Sequence, residues 1–183
     1  MNQQTWWYLS RASGIVAWVL LAATCVWGVL LATRMLRPAD RPAWLLDLHR
    51  WLGALGITTT AVHLGALVAD SYLTFGWREL LVPEASAWRP RAVTFGVVAL
   101  YLLAVVEVSS LVMRRLPRRW WRVIHLGSYA AFGSVTVHGV LAGTDVTNRV
   151  MVVVGAAVLG ALGVTVVARL VHRRGVRAAR VRA

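Results

Sequence analysis

Five long apolar runs dominate the pattern of hydrophobic and polar positions along this 183-residue chain. Because about 20 apolar residues are needed to carry a helix across a bilayer, such runs are typical of transmembrane helices. The pattern therefore predicts an all-α membrane protein, a bundle of about five transmembrane helices. The five predicted spans, numbered in chain order, lie at Ile15–Thr33, Leu52–Val68, Val93–Met113, Leu126–Leu141 and Val150–Val171.

The basic residues predict how these helices are oriented. All 20 of them are Arg, and the net charge of +13 would by itself favour a nucleic-acid partner. However, fifteen of them lie in three clusters, at 34–50, 114–122 and 169–182, which alternate with poorer loops. This alternation marks the cytoplasmic side of a multi-pass protein. We therefore expect a protein of the lipid bilayer that binds no nucleic acid, with its N-terminus outside and its C-terminus in the cytoplasm.

The composition also suggests the source and the domain organisation. Arg without Lys, together with an excess of Ala and Val, is typical of GC-rich bacterial genomes, so we expect a bacterial plasma membrane. Residues 1–171 then form one transmembrane domain. Residues 172–183 are rich in Arg and too short for a domain, and we expect a basic cytoplasmic tail that either lies on anionic lipid or is disordered.

Four histidines lie in the second and fourth predicted spans at nearly matching spacings. His49 and His63 are fourteen residues apart, and His125 and His138 are thirteen apart, which corresponds to about 21 and 20 Å along straight helices. Only one span separates these two helices, so they run in the same direction. His49 is therefore expected at the depth of His125, near the cytoplasmic face, and His63 at the depth of His138, near the outer face.

These depth-matched histidines predict two metal centres. An imidazole in hydrocarbon is costly and needs a partner, and neutral imidazole binds both ferric and ferrous haem iron. We expect two b-type haems between spans two and four, one held by His49 and His125, the other by His63 and His138. The alternative, that the imidazoles only hydrogen-bond between packed helices, suits a single membrane histidine better than four at two matched depths.

The thirteen-residue step does not fit a straight helix. A step of fourteen residues returns within about 40° of the same helix face, whereas a step of thirteen misses it by about 140°. Span four must therefore bend, for which Gly127, Gly133 and Ser134 offer a place, or its two haems are approached from different directions.

Small and cationic residues near the histidines fit a flat, anionic cofactor. Glycines such as Gly53 and Gly127 let a porphyrin approach the helix backbone. Haem propionates need cations. The candidates are Arg50 and Arg122 for the inner haem, and Arg11, Arg89 or Arg91 for the outer haem.

Glu107 is the other costly residue, because it lies in the inner half of span three. As a candidate catalytic residue it would carry a proton or hydrogen-bond a quinol. Alternatively, it is a protonated acid bonded to a neighbouring helix, or the partner of an Arg on the cytoplasmic side. The sequence leaves these alternatives open.

With one His-x13-His and one His-x12-His helix, the chain resembles the ferric reductase-like transmembrane domain family over about residues 6–165. This family includes the membrane cores of ferric reductases and NADPH oxidases, and the haem-binding membrane subunit of a bacterial methionine sulfoxide reductase system. The resemblance implies two b haems and electron flow from inside to outside. It is carried by Leu-Asp-Leu-His49-Arg-Trp-Leu-Gly, Ala-Val-His63-Leu-Gly, Trp-Arg-Val-Ile-His125 and Thr-Val-His138-Gly.

The chain departs from the oxidase and eukaryotic reductase pattern in two ways. It has five apparent spans where those proteins have six or more, and no Gly-rich dinucleotide fingerprint follows a strand. Electrons are therefore expected from a cytoplasmic flavin reductase or from membrane quinol, so that flavin belongs to a partner protein and quinone is a further candidate cofactor. The acceptor is expected on the extracytoplasmic side.

Three hypotheses follow from the sequence. The first is a di-haem b-type cytochrome that carries electrons across the plasma membrane as the membrane subunit of an oxidoreductase. The second is a quinol-oxidising cytochrome that discharges to superoxide or another small oxidant, with Glu107 accepting the proton. The third is a cofactor-free membrane scaffold or assembly partner, in which none of the four histidines is needed.

Overall fold

The computed structural model of the protein describes residues 3–33, 43–71 and 75–182, with side chains described between residues 4 and 171. This part of the chain folds into helices and loops, without strands, which confirms the prediction of an all-α protein. The helices are α1 (Gln3–Thr33), α2 (Ala43–Ala69), α3 (Trp77–Leu81), α4 (Pro90–Leu111), α5 (Arg118–Ala142) and α6 (Arg149–Arg182).

The five long helices correspond one to one to the predicted spans. Within the described residues, α1, α2, α4 and α6 are long and apolar enough to cross a membrane. Helix α5 is as long, at 25 residues, but it is less apolar because it carries arginines in its first two turns and two of the four histidines. It nevertheless packs in the same bundle, along α4 and against α1.

Two antiparallel helix pairs build the bundle. Helix α2 packs along α1, and α5 packs along α4, while α5 and α6 also contact α1. By contrast, the described parts of α2 and α5 share too few close contacts to count as packed helices. The two histidine-bearing helices therefore face each other across a gap.

The start of α4 and the end of α5, which lie side by side, show how local sequence sets the helix ends. Helix α4 begins at Pro90, whose fixed φ suits the first helical position. The preceding Arg89 has a left-handed backbone (φ 42°), and its Nη1 donates to the carbonyl of Leu141 at 2.7 Å. Gly143 donates its N–H to the carbonyl of Gly139 at 2.9 Å. Arg89 thus ties the start of α4 to the end of α5.

A buried cluster joins the two helix pairs near mid-membrane. Ala22 and Cys25 of α1 pack against Phe132 of α5. Trp18 stacks on Phe132 with ring centroids 6.0 Å apart, and its Nε1 donates to Thr136 Oγ1 at 2.9 Å. This contact links α1 of one helix pair to α5 of the other.

The short helix α3 and its flanking residues cover the end of the bundle at which His63 and His138 lie. Phe75 and Leu80 are buried against Val93 and Val97 of α4. The cover lies over the gap between the histidine-bearing helices, because Phe75 and Leu80 line the same cavity as the outer histidines.

Helix α6 continues beyond the last predicted span to Arg182. The backbone of the predicted tail is therefore helical over residues 172–182. The tail side chains lie outside the described residues, as do Arg34, Arg37 and Arg41 of the first basic cluster. The domain boundary and the cytoplasmic location of the tail stay predictions.

Candidate functional site

The four histidines meet in two pairs, each with one ring from α2 and one from α5. The ring centroids of His49 and His125 lie 6.1 Å apart with planes at 64°, and those of His63 and His138 lie 6.5 Å apart at 77°. The structure thus brings together the residues that were predicted to share a depth. We term His49 and His125 the inner pair, and His63 and His138 the outer pair, after the membrane sides predicted from the arginines.

The spacing within each pair suits a metal ion held between the two rings. Imidazole nitrogens bind metals at about 2 Å, which puts the centroids of two rings on opposite sides of one ion about 6 Å apart. The observed 6.1 and 6.5 Å match this distance. Two ligands per ion is also the number of axial positions that haem iron offers to a protein.

Backbone carbonyls hold both rings of the outer pair. His63 Nδ1 lies 2.7 Å from the carbonyl oxygen of Ser10 on α1, and His138 Nδ1 lies 2.8 Å from that of Ala92 on α4. Because a carbonyl only accepts, Nδ1 must carry the proton in each ring. The lone pair of Nε2 is then free for a metal, an arrangement usual for histidine ligands.

A glycine lies beneath each outer ring, one turn after the carbonyl that holds it. A Cβ on Gly14 of α1 would come 3.1 Å from His63 Nδ1, and a Cβ on Gly96 of α4 would come 2.9 Å from His138 Nδ1. Only glycine allows the ring to lie this close to the helix. The glycines predicted from the sequence, Gly53 and Gly127, lie on the histidine-bearing helices, whereas Gly14 and Gly96 lie on the neighbouring helices and were not predicted.

On α1, the same arrangement recurs fourteen residues further along, at the inner pair. Thr24 and Gly28 stand there in place of Ser10 and Gly14. A Cβ on Gly28 would come 3.2 Å from His49 Cε1. The Thr24 carbonyl faces the ring, yet His49 Nδ1 makes no hydrogen bond to any described residue although it is buried.

On α4, the fourteen-residue repeat leads from Ala92 and Gly96 to Val106 and Ser110. Ser110 Oγ donates to the carbonyl of Val106 at 2.8 Å and lies 3.4 Å from His125 Nδ1. His125 therefore has a long contact with a hydroxyl where the other helix positions offer a carbonyl. The residues of α1 that face the two histidines of α2 are thus fourteen residues apart, and so are those of α4 that face the two histidines of α5. The histidines of α5 themselves are only thirteen residues apart.

Helix α5 accommodates the thirteen-residue step without an interruption. It is one continuous α-helix through Gly127, Gly133 and Ser134. Its two histidines have different neighbours, since His125 faces a hydroxyl and His138 a carbonyl.

A cavity of about 580 Å³ lies at the outer pair, within the range of small-molecule and cofactor sites. His63 and His138 line it together with Gly14 and Gly96, and most of the remaining wall is apolar. Two free imidazole nitrogens in an apolar cavity of this size fit a b-type haem.

Of the cations predicted for the outer haem, Arg11 lies at the cavity. It forms an ion pair with Asp145, and its guanidinium lies 4.0 Å from the centroid of the Trp7 ring. Arg89 is engaged at the end of α5 and does not line the cavity; Arg91 is exposed and does not line it either.

At the inner end, the predicted cations lie at the surface. Arg50 pairs with Asp47 at 3.3 Å, and both side chains are more than half exposed. Arg122 is exposed in the second turn of α5. Arg169 begins the third basic cluster along the chain, and its Nη1 donates to the hydroxyl of Tyr129, one turn from His125, at 3.1 Å. Sequence position alone did not reveal this cation near the inner pair.

The remaining predicted residues meet at the inner level. Gly53 is buried, and a Cβ there would lie 3.7 Å from Glu107 Oε1, so Glu107 faces α2 one turn from His49. Gly127 faces Val106, whose Cγ2 would lie 3.8 Å from an added Cβ. Among the described residues, Glu107 has no ion-pair or hydrogen-bond partner, so neither structural alternative for this acid is seen there.

These features define a multi-pass helical membrane protein with two facing histidine pairs. The family model described as "Ferric reductase like transmembrane component" matches residues 13–136, more than half of the chain. The chain belongs to this family, which confirms the resemblance stated from the sequence. The match includes His49, His63 and His125 and ends two residues before His138. No curated protein and no solved structure gives a significant match.

Proposed function

We propose that this protein is a di-haem b-type cytochrome that carries electrons across the plasma membrane, as the membrane subunit of an oxidoreductase. The observation that carries the proposal is the pair of imidazoles at each of two depths, 6.1 and 6.5 Å apart. Membership of the ferric reductase-like family supports a role in transmembrane electron transfer.

In this proposal, His49 and His125 hold the inner haem, and His63 and His138 hold the outer haem. Haem supplies reversible one-electron chemistry when it is bound. The two histidines of each level would hold the iron, and the apolar walls of the cavity at His63 and His138 would keep water away from the outer haem. At the outer level, the carbonyls of Ser10 and Ala92 fix the ring orientation.

The proposed donor is a cytoplasmic flavin reductase or membrane quinol, and the proposed acceptor lies on the extracytoplasmic side. Arg114, Arg115, Arg118 and Arg119 lie exposed between α4 and the first turn of α5. An acidic reductase is attracted to such a basic surface, because complementary charges speed association. Flavin then belongs to the partner.

The haem-to-protein ratio of the purified chain tests this function. We expect about two b haems per chain, and each of His49→Ala, His63→Ala, His125→Ala and His138→Ala should lose the haem of its own level. His172→Ala is the matched control, because the fifth histidine belongs to neither pair. Colourless protein in the presence of excess haem contradicts the proposal and favours a cofactor-free scaffold.

A second candidate function is quinol oxidation at the inner level. It rests on Glu107, a half-buried acid in a membrane span that faces Gly53 one turn from His49. An ionisable group at such a place is a candidate proton acceptor. We expect Glu107→Gln to slow reduction of the haems by quinol while leaving reduction by dithionite unchanged. Equal quinol rates in both proteins would remove Glu107 from the reaction.

A further inference from the structure

Trp121 lies one turn before His125 on α5 and stacks on its ring. The two ring centroids are 5.0 Å apart and the planes differ by 23°. Residues four apart share one face of a helix, so the indole and the imidazole face the same side of α5. Trp121 therefore belongs to the surroundings of the inner pair, on the side nearer the membrane surface.

The indole nitrogen of Trp121 has an unmet hydrogen-bonding need. Its Nε1 is buried and has no partner among the residues that the structure describes. Indole N–H can only donate, and a buried donor without an acceptor is destabilising. Two other tryptophans in the bundle find acceptors at 2.9 Å, Trp18 on Thr136 and Trp27 on the carbonyl of Leu45. The exception is the one beside a candidate cofactor ligand.

The charges around Trp121 favour an anionic acceptor. The residue lies in the first turn of α5, where the helix dipole stabilises negative charge. Arg118, Arg119 and Arg122 belong to the same two turns. Asp47, the acid of α2, is paired with Arg50. A bound molecule that brings its own carboxylate would satisfy both the donor and the positive charge.

We propose that the indole N–H of Trp121 donates a hydrogen bond to a propionate carboxylate of the inner haem, while its ring holds His125 by stacking. This proposal rests on the proposed function. One helical turn, about 5 Å along the axis, places the donor between the ligand histidine and the membrane surface. Trp121 would be a positioning residue that fixes the cofactor edge and the axial ligand together.

Replacement by Phe separates the two roles, because Phe keeps an aromatic ring and removes the donor. The His63→Ala/His138→Ala background leaves only the inner haem to be measured. In that background, we expect Trp121→Phe to weaken haem binding about tenfold or more, since hydrogen bonds to charged groups are among the stronger ones. Trp120→Phe is the matched control, because Trp120 is 55% exposed and stands next in sequence.

Haem dimethyl ester, whose propionates carry no charge, supplies the second measurement. If the indole binds a propionate, the original chain and Trp121→Phe should bind the ester with nearly equal affinity. Trp121→Gln regains an N–H donor without the indole and should recover part of the affinity for haem b. Trp121→Gln also tests the role of the N–H donor if the Phe variant folds poorly.

Two results would overturn the inference while leaving the proposed function intact. One is equal affinity of the original chain and Trp121→Phe for haem b. The other is the same loss of affinity for haem b and for its dimethyl ester, which would limit Trp121 to stacking. If the original chain bound no haem at either level, the proposed function itself would fail, and this inference with it.

Discussion

The outer and inner histidine pairs have the same ligands at nearly the same spacing, but they are held differently. Both outer rings bond to backbone carbonyls, at 2.7 and 2.8 Å. In the inner pair, His49 Nδ1 has no partner among the described residues, and His125 has only a contact at 3.4 Å with a serine hydroxyl. Both Nδ1 atoms of the outer pair are hydrogen-bonded, whereas His49 Nδ1 of the inner pair is buried without a hydrogen bond to the described residues.

This difference indicates how each site would take up a cofactor. Rings that are already fixed lose little freedom on binding, and such preorganisation raises affinity. At the inner level, part of the order must come from the cofactor itself. We therefore expect the outer level to hold haem more tightly than the inner level.

The largest expected effect comes from filling the space beneath an outer ring. In Gly96→Val, the added Cβ would start 2.9 Å from His138 Nδ1, so the ring must move off the Ala92 carbonyl. Overpacking of this kind costs about 1–3 kcal/mol, or about fivefold to 150-fold in affinity. The haem-to-protein ratio and the spectrum of the outer haem measure it.

Gly133→Val is the matched control for this change, because a Cβ on Gly133 meets nothing within 4 Å. It adds the same side chain to a membrane helix without touching a histidine. If both variants retained the outer haem equally, the close approach at Gly96 would have no role in binding.

Two alanine substitutions on α1 sharpen the comparison between levels. A Cβ on Gly14 presses on His63 Nδ1, the bonded atom, at 3.1 Å, whereas one on Gly28 meets His49 Cε1 at 3.2 Å. We expect Gly14→Ala to weaken the outer haem about tenfold, and Gly28→Ala to weaken the inner haem only a few-fold. Haem titration of each purified variant decides this order, and the reverse order would contradict it.

Loss of the Ser110 hydroxyl should have a smaller effect. Its contact with His125 is long, at 3.4 Å, and a neutral hydrogen bond contributes about 1 kcal/mol even at good geometry. We expect Ser110→Ala to change inner haem affinity by less than about threefold. Ser109→Ala, at the neighbouring buried serine, is the control. A tenfold change specific to Ser110 would mean that the inner pair is as firmly held as the outer.

The smallest effect is expected at the mouth of the outer cavity. Arg11 and Asp145 form an ion pair whose side chains are 28% and 33% exposed, and such pairs contribute up to about 1 kcal/mol. A double-mutant cycle of Arg11→Gln and Asp145→Asn, read by thermal unfolding of haem-free protein, should give a coupling below that value. A larger coupling would show that the pair closes the bundle rather than only bordering the cavity.

The sequence predicted the helices and the meeting of the histidines because both follow from spacing alone. Apolar runs of membrane length give spans, and two helices that run in the same direction bring residues of equal depth together. The same reasoning failed to find Gly14, Gly28 and Gly96. These residues lie on helices that carry no histidine, and only their packing against α2 and α5 gives them a role.

A detectable signal for these glycines was nevertheless present. Gly14 and Gly28 are fourteen residues apart on α1, the same spacing as His49 and His63 on α2. Arg89 was less predictable, because its sequence position just before α4 does not reveal that its guanidinium donates to a carbonyl at the end of α5. Long side chains of this kind choose between partners only when the tertiary contacts are known.

Holding an imidazole by a main-chain oxygen has an evolutionary consequence. Every amino acid supplies the same carbonyl, so the grip on His63 and His138 does not fix the identity of residues 10 and 92. Because both residues are buried, we expect only small side chains to replace them during descent. The stricter steric requirement falls on Gly14 and Gly96. In an alignment of relatives, we expect those two columns to remain invariant beside variable neighbours, which would mark the ligand supports without any coordinates.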